Sequence, residues 1–471
     1  MPNVIVILSD DHGYADRGAT GWAPDVTTPG LDRLAASGVT CANAYVTAPI
    51  CSPSRSSIIS GTQHQRWGST WFGSSKFPDE LPSLAERFSD LGYTTGYLGK
   101  VHYGTEDVGD RACPPHHGFD ETYYGLAGQQ QGRLNYLRHS QAAVDEYGPE
   151  AQWRMAVQPM LEGDDRVELN GFLTAELGER ARRFVDDHAE EPFFLMVAFN
   201  AVHNFCWQLP PEELERRGLP VREDWHDADV KPYLEWYDGA ISPNLENGRA
   251  YYLAQLELMD AEIGKLLDRL EEQGLAEDTI VVYLTDNGGS TCNYGNNAPL
   301  AGTKYTLAEG GIRVPFLVRW PAGGWVGGVE RPGLVSSTDL FPTLLAAAGA
   351  GPDRWEHCDG ADQTPLLTGQ ESTGHEALHW DCEFQWAVRE GDLKLRWADG
   401  QSSAAVGIRR TEHAEVGDGL ALYDLAADIG ETTDLAAERP AEVARLLARH
   451  RAWRAEVGLD PEALPPVPTP V

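Results

Sequence analysis

Val4-Ile5-Val6-Ile7-Leu8-Ser9-Asp10-Asp11-His12-Gly13 opens the chain almost at once. Five consecutive apolar residues, four of them β-branched, read as a strand buried on both faces, the pattern of a parallel sheet. The run is too short for a membrane span. It has no basic region before it and no cleavage site after it, so it does not read as a secretion signal. The apolar run then gives way to Ser, two Asp and His. In open α/β sheets, ligands bind outside the carboxyl ends of strands. The polar residues that follow each strand are therefore the first candidates for function.

Working outward, further short apolar runs occur at Thr94–Leu98, Phe193–Phe199, Ile280–Leu284 and Phe316–Val318. Helical periodicity marks Thr28–Gly38, Leu81–Gly92, Phe172–His188 and Tyr251–Gly274; the last carries Leu253, Leu256, Met259, Ile263, Leu266, Leu267 and Leu270 on one stripe. Strands alternating with helices predict an α/β sheet covered on both faces. From about Gly369 the texture changes. Ala377–Asp381, Gln385–Arg389, Leu393–Trp397 and Ala421–Asp424 read as short strands between Gly and Asp turns, followed by a helix from Pro440 to Val457. Two units are expected: residues 1–368, and a smaller α+β unit, residues 369–471. The polar stretch from Gly125 to Leu169 reads as an insertion near the site.

The length of 471 residues suits two or three domains of ordinary size, roughly 100–200 residues each. Lys and Arg number 37 against 72 Asp and Glu, a net charge of −35. Such a field repels phosphate backbones and anionic lipid surfaces, so nucleic acid and membrane are excluded as expected partners. The 42% hydrophobic content argues against an acidic disordered chain. The seven cysteines show no CxxC and no zinc-type Cys/His spacing. They are expected to be reduced, in a cytoplasmic protein, or a secreted one if a leader was removed.

Four strands end in residues able to bind ligands: Asp10-Asp11, Lys100-Val101-His102, Asn200 to His203, and Asp286-Asn287. Asp10, Asp11, Asp286 and Asn287 together make an all-oxygen donor set. That set suits Ca²⁺ or Mg²⁺ and lacks the His and Cys ligands zinc prefers. The same residues would serve as turn and capping groups. In Pro49-Ile50-Cys51-Ser52-Pro53-Ser54-Arg55-Ser56-Ser57-Ile58-Ile59-Ser60-Gly61, Pro53 suits a first helical turn. Cys51 then lies at a helix N-terminus, where backbone amides attract an anion, and Arg55 shares its face. A bare cysteine there would be a candidate low-pKa nucleophile. Arg55 would otherwise form an ordinary surface ion pair.

Cys51-x-Pro53-x-Arg55 followed by Ser60-Gly61 resembles the signature of the type I, formylglycine-dependent sulfatases of the alkaline phosphatase-like superfamily. The resemblance extends to Thr28-Pro29-Gly30-Leu31-Asp32-Arg33-Leu34, Gly99-Lys100-x-His102, Thr285-Asp286-Asn287-Gly288, Gly302-Thr303-Lys304 and Glu309-Gly310-Gly311-Ile312-Arg313-Val314-Pro315. Leu422-Tyr423-Asp424-Leu425 with Gly430-Glu431 resembles the family's C-terminal domain. The implied fold is a large, mixed, mostly parallel sheet sandwiched by helices, with a smaller C-terminal antiparallel sheet plus helix that completes the substrate pocket.

The resemblance also implies the chemistry of a sulfuric ester hydrolase. Cys51 becomes formylglycine by the action of a formylglycine-generating enzyme. One Ca²⁺, with Mg²⁺ second, is held by Asp10, Asp11, Asp286, Asn287 and modified Cys51. The hydrated aldehyde attacks sulfur through one hydroxyl, with Asp286 helping to remove its proton. The second hydroxyl expels sulfate, and His102 takes that proton. Lys100, His203 and Lys304 hold sulfate or leaving-group oxygens, with His203 and Lys304 as candidate proton donors. His203 departs from the family's common pattern of a His followed shortly by Pro, because Asn204-Phe205-Cys206-Trp207 follow it.

The implied substrate is a small anionic sulfate monoester of a carbohydrate or an aryl group. Trp67, Trp71, Lys76, Trp207, Asn293 and Trp386 lie in segments able to rim the pocket, and Gly61-Thr62-Gln63-His64-Gln65 resembles sulfatases acting on sulfated sugars. A phosphonate monoester or phosphodiester hydrolase of the same superfamily is the rival reading; those enzymes tend to carry His where Asn287 stands. A non-catalytic binding protein on the same scaffold is the alternative if Cys51 stays unmodified.

Overall fold

A computed structural model describes residues 1–71, 74–104, 107–125, 160–167, 171–203, 206–222, 245–290, 293–370, 375–399 and 417–464. Most of the expected insertion and Cys292 lie outside the described residues. The larger sheet comprises β1 (Asn3–Ser9), β2 (Val39–Tyr45), β3 (Thr94–Lys100), β4 (Glu121–Gly125), β5 (Met160–Glu162), β6 (Asp165–Val167), β7 (Phe193–Ala198), β8 (Thr279–Thr285), β9 (Phe316–Arg319) and β10 (Val329–Ser336). Their order is β10-β2-β9-β8-β1-β7-β3-β4-β5-β6. The central run β8-β1-β7-β3-β4 is parallel. The flanks add antiparallel pairs, including β8–β9 and β4–β5.

Every residue of β1 is buried, as the uninterrupted apolar run requires. Alternation then divides its side chains between two cores. Ile5 and Ile7 pack with α1 (Pro29–Ser37) and the helices Leu173–Asp187 and Gly248–Glu272. Val4, Val6 and Leu8 face α2 (Cys51–Ser60), α3 (Leu84–Asp90) and the helix Leu340–Ala347. The sheet is therefore a filled sandwich with β1 at its middle. No helix among the described residues is long and apolar enough to cross a membrane.

The sequence pattern did not mark β2, β4 and β10. β10 contains Pro332-Gly333, which argues against a central strand, but it lies at the sheet edge and its register shifts between Arg331 and Leu334. An edge position and a bulge both tolerate proline. Its partner β2 is rich in small and polar residues, and Asn43 Nδ2 donates across to Pro332 O at 2.7 Å.

The second sheet is antiparallel, β11 (Ala377–Asp381), β12 (Gln385–Glu390), β13 (Leu393–Ala398) and β14 (Gly419–Asp424) in that order. Alternation along β12 gives it two roles. Trp386 and Val388 pack with Val443 and Leu446 of the helix Pro440–Glu456. Ala387 turns the other way, into a core shared with Tyr45, Val46, Ile50, Leu307 and Ile312 of the larger unit. The two sheets are thus joined by an apolar layer that touches the loops before Cys51 and after Lys304.

Candidate active site

The parallel register of β3, β7, β1 and β8 brings their carboxyl ends side by side. Phe199 N donates to Leu8 O at 2.8 Å, Val202 N to Asp10 O at 2.8 Å and Asp286 N to Ser9 O at 3.2 Å. These bonds continue the ladder past the strands and fix the functional side chains relative to one another. Asp11 and His102 turn the chain with φ of 58° and 56°. Left-handed backbone at residues other than Gly costs about 1–3 kcal/mol and clusters at sites where the surroundings impose it.

Cys51 is the first residue of α2, and every residue of that helix is buried. Ile50 is extended and offers no side-chain cap, so the first-turn amides are left for the site. Arg55, one turn on, is 0% exposed. Its Nε donates to Asp286 Oδ2 at 2.6 Å, Nη1 to Lys100 O at 3.0 Å, and Nη2 lies 3.5 Å from Asp10 Oδ2. The surface ion pair considered above is thereby corrected: the guanidinium is a buried bracket between two strand ends. Lys100 Nζ pairs with Asp10 Oδ2. Lys304 Nζ lies 2.6 Å from Asp11 Oδ1, and His203 Nε2 is 3.5 Å from Asp11 Oδ2. Three acidic side chains, Asp10, Asp11 and Asp286, thus face three basic ones, Arg55, Lys100 and Lys304.

Burial raises Asp10, but Lys100, His203 and Arg55 outweigh it and hold this carboxyl well below the usual range. Burial dominates at Asp11 and Asp286, which are raised despite Lys304 and Arg55. His102 is buried beside Lys100 and Arg55, and both effects depress it, so it is neutral at pH 7. Burial opposes the charge of Lys304, yet Asp11 holds it well above its ordinary value. The Cys51 thiol is pushed up to about 12 by burial, which outweighs the attraction of Lys100 and Lys304. The helix N-terminus does not make Cys51 a thiolate, and the expectation of a low-pKa nucleophile is corrected accordingly.

Ligand atoms of Asp10, Asp11, Cys51 and His203 lie within 4.8 Å of one another. Asn287 Nδ2 donates to Asp11 Oδ1 at 2.7 Å and Gly288 O at 2.9 Å, which fixes the amide orientation. Its Oδ1 is buried without a hydrogen-bond partner. A buried, unpartnered amide oxygen costs about 1–3 kcal/mol unless something binds it. Beside three carboxylates, this oxygen-rich donor set fits a hard metal ion.

All the predicted catalytic and metal residues, Asp10, Asp11, Cys51, Arg55, Lys100, His102, His203, Asp286, Asn287 and Lys304, lie on the neighbouring strand ends, the first two turns of α2 or the loop after Gly302. The rim candidates separate. Asn293 is at the base of the site, with Nδ2 2.8 Å from Val202 O and 3.4 Å from Asp11 Oδ2. Trp386 is not at a rim: it is buried in the C-terminal core, stacked on His450 at 4.8 Å. Trp207 lies in the main core, and Trp71 packs edge-on to Phe384. Trp67 is half-buried, bonded to Lys76 O at 3.0 Å. The sequence reading passed over Tyr305 and Gln385; adjacency to Gly302-Thr303-Lys304 was the only signal for Tyr305, and Gln385 had none.

The buried cluster of Asp10, Asp11 and Asp286 with Arg55, Lys100 and Lys304 suits the holding of a metal ion and of an anionic group. The Sulfatase family model matches residues 2–350, and the chain belongs to the sulfatase family: it is a sulfuric ester hydrolase. It is 30% identical to arylsulfatase A of Homo sapiens over 460 residues, covering 92% of this chain and 83% of the relative. A crystal structure of Ps i-CgsB in complex with a neocarrahexaose superimposes with a TM-score of 0.78 at 26% identity, covering 98% of this chain and 95% of the other. A structure in complex with its substrate D-glucosamine-2-N,6-O-disulfate has a TM-score of 0.72 at 20% identity, covering 98% and 100%, and shares the fold.

Proposed function

We propose that this chain hydrolyses the sulfate monoester of a carbohydrate or aryl group, using formylglycine made from Cys51 and one Ca²⁺. The observation that carries the reading is the convergence of Cys51, Arg55 and Lys304 on the buried Asp10–Asp11–Asp286 cluster. Carbohydrate is favoured by the neocarrahexaose ligand of the 26%-identical structural neighbour. Asp10, Asp11, Asp286 and Asn287 Oδ1 would hold the metal, with residue 51 beside them. The ion would supply positive charge to the sulfate oxygens, and hydrated formylglycine a hydroxyl nucleophile.

The chain's own groups do the remaining work. Arg55 fixes Asp286 and the helix start that presents residue 51. Asp286, held by Arg55 beside residue 51, is the candidate to take a proton from a hydroxyl there. Neutral His102 is able to accept the next proton. Lys100, Lys304 and His203 supply charge where negative oxygens develop, in a buried site. Lys304 is held protonated and is the candidate donor to the leaving oxygen. The 369–471 unit closes one side of the pocket in this reading. Cys51 is 1% exposed in the fold, so a formylglycine-generating enzyme would act before folding is complete.

The test is a panel of aryl sulfate, aryl phosphonate monoester and aryl phosphodiester, run with peptide mass spectrometry across residues 51–55. Preferred turnover of the sulfate by protein carrying formylglycine is the expected result. The sulfate ranking last by a wide margin would transfer the chain to the phosphonate and phosphodiester hydrolases. Unmodified Cys51 in the native host would remove the catalytic reading.

A further inference from the structure

Lys304 has no regular secondary structure to hold it, yet its ammonium must stand within an ångström or so of one position. Five hydrogen bonds hold the segment around it. Lys304 N donates to Gly289 O at 3.1 Å, and Thr303 Oγ1 to the same oxygen at 2.7 Å. Tyr305 N donates to Pro49 O at 2.7 Å, two residues before Cys51. On its other side the loop is closed by the C-terminal sheet. Gln385, the first residue of β12, is 3% exposed, and its amide spans the loop end to end. Nε2 donates to Tyr305 O at 2.6 Å, and Oε1 accepts from Leu307 N at 2.9 Å. Tyr305 itself is left-handed, with φ of 76°. A residue other than Gly in that region needs external support, and Gln385 supplies it on the carbonyl side. Both polar ends of one buried side chain are thus committed to the segment that aims Lys304.

We infer that Gln385 is a positioning residue for the reaction: the C-terminal sheet aims Lys304 at the leaving oxygen through the Tyr305–Leu307 loop. This rests on the reading of Lys304 as proton donor. The chemistry gives it a specific signature. A donor to the leaving oxygen matters most when the departing alkoxide is basic and least when it is a stable phenolate. Loosening Lys304 therefore steepens the dependence of kcat on leaving-group pKa, whereas general loss of stability lowers all substrates alike.

The experiment compares the full-length, formylglycine-containing, Ca²⁺-loaded enzyme with Gln385→Met, which keeps the volume and removes both hydrogen bonds. The substrates are aryl sulfates graded from nitrophenols to unsubstituted phenol. Gln385→Met should lose about tenfold or more in kcat on the poorest leaving group and less than about twofold on the best. Val388→Ala, on the opposite face of β12 and in the C-terminal core, should lower Tm without changing the slope. In a Lys304→Ala background, Gln385→Met should add no further steepening. An unchanged slope in Gln385→Met, whether or not kcat falls, overturns the inference. If Gln385→Met gives no cooperative melt, Gln385→Glu is judged by the same slope, since it retains the acceptor for Leu307 N and loses the donor to Tyr305 O. Failure of the underlying reading shows separately, as a Lys304→Ala slope equal to wild type.

Discussion

Replacing Arg55 with Met tests the charge balance at the centre of the site. The guanidinium is 1% exposed and lies 2.6 Å from Asp286 and 3.5 Å from Asp10, both fully buried. With it present, Asp286 has a buried cation at hydrogen-bond distance; without it, Asp286 loses that partner and Lys100 O one of its two donors. Removing one partner of a buried pair costs about 3–5 kcal/mol, or roughly two to four decades in the folding equilibrium. Met conserves most of the volume, so a cavity adds little. A divalent ion binding among the same carboxylates restores positive charge, and the variant should gain more from it than the balanced wild type. The assay is urea unfolding of the full chain, with chelator and with Ca²⁺. Metal-free Arg55→Met should be less stable by at least about 3 kcal/mol, with Ca²⁺ recovering more in the variant than in wild type. Activity should remain at least about 100-fold down in kcat/KM even with saturating Ca²⁺, because the group that presents residue 51 is gone. Equal metal-free stabilities, or a larger Ca²⁺ gain in wild type, would refute the charge-balance argument.

Asn287→Leu removes the unpartnered Oδ1 and the donor to Asp11, and calorimetric titration should show Ca²⁺ affinity weakened at least about tenfold; unchanged affinity would take Asn287 out of the metal site. Glu309 is buried against Lys394 at 2.8 Å and Tyr45 Oη at 2.6 Å, so Glu309→Gln should cost about 3 kcal/mol by urea unfolding; a cost below about 1 kcal/mol would show that Glu431, 3.2 Å from Lys394, compensates the lysine by itself. Burial pulls the His375 imidazole down, but Asp339 at 2.6 Å outweighs it and raises its pKa. Its stabilisation is therefore complete below about pH 6.5 and is lost as pH rises through the raised value. Unfolding free energy of wild type should fall relative to His375→Gln across that interval, and parallel pH profiles would contradict the assignment.

The strands that build the site were legible because both of their faces are buried. β1, β7 and β8 each present an unbroken apolar run followed by ligand-type residues. β10 was illegible because its Pro332 and Gly333 obey the rules of an edge, which only the assembled sheet reveals. The site's members were legible as residues, but not all as partners: nothing local to Arg55 says that it will bracket Asp286. Trp386 misled for a related reason. An aromatic residue on a short strand reads equally as a pocket wall or as core, and alternation along β12 sends it inward. Gln385 carries no motif at all; its role exists only because β12 lies beside the loop after Lys304.

The strand order β8-β1-β7 has a consequence in time. β1 leaves the ribosome first, and neither of its sheet neighbours exists until far later in synthesis. Arg55 and Asp286 are 231 residues apart. At roughly 5–20 residues per second, about 12–46 s pass between their appearances. The turn Ser337–Asp339 and the helix Leu340–Ala347, which pack on α2, follow β8 in the chain, so Cys51 is not covered before these are made. Under the proposed conversion of Cys51, that interval is the window open to the converting enzyme. A faster-translated or prematurely collapsing variant should carry more unconverted Cys51 at the same final fold.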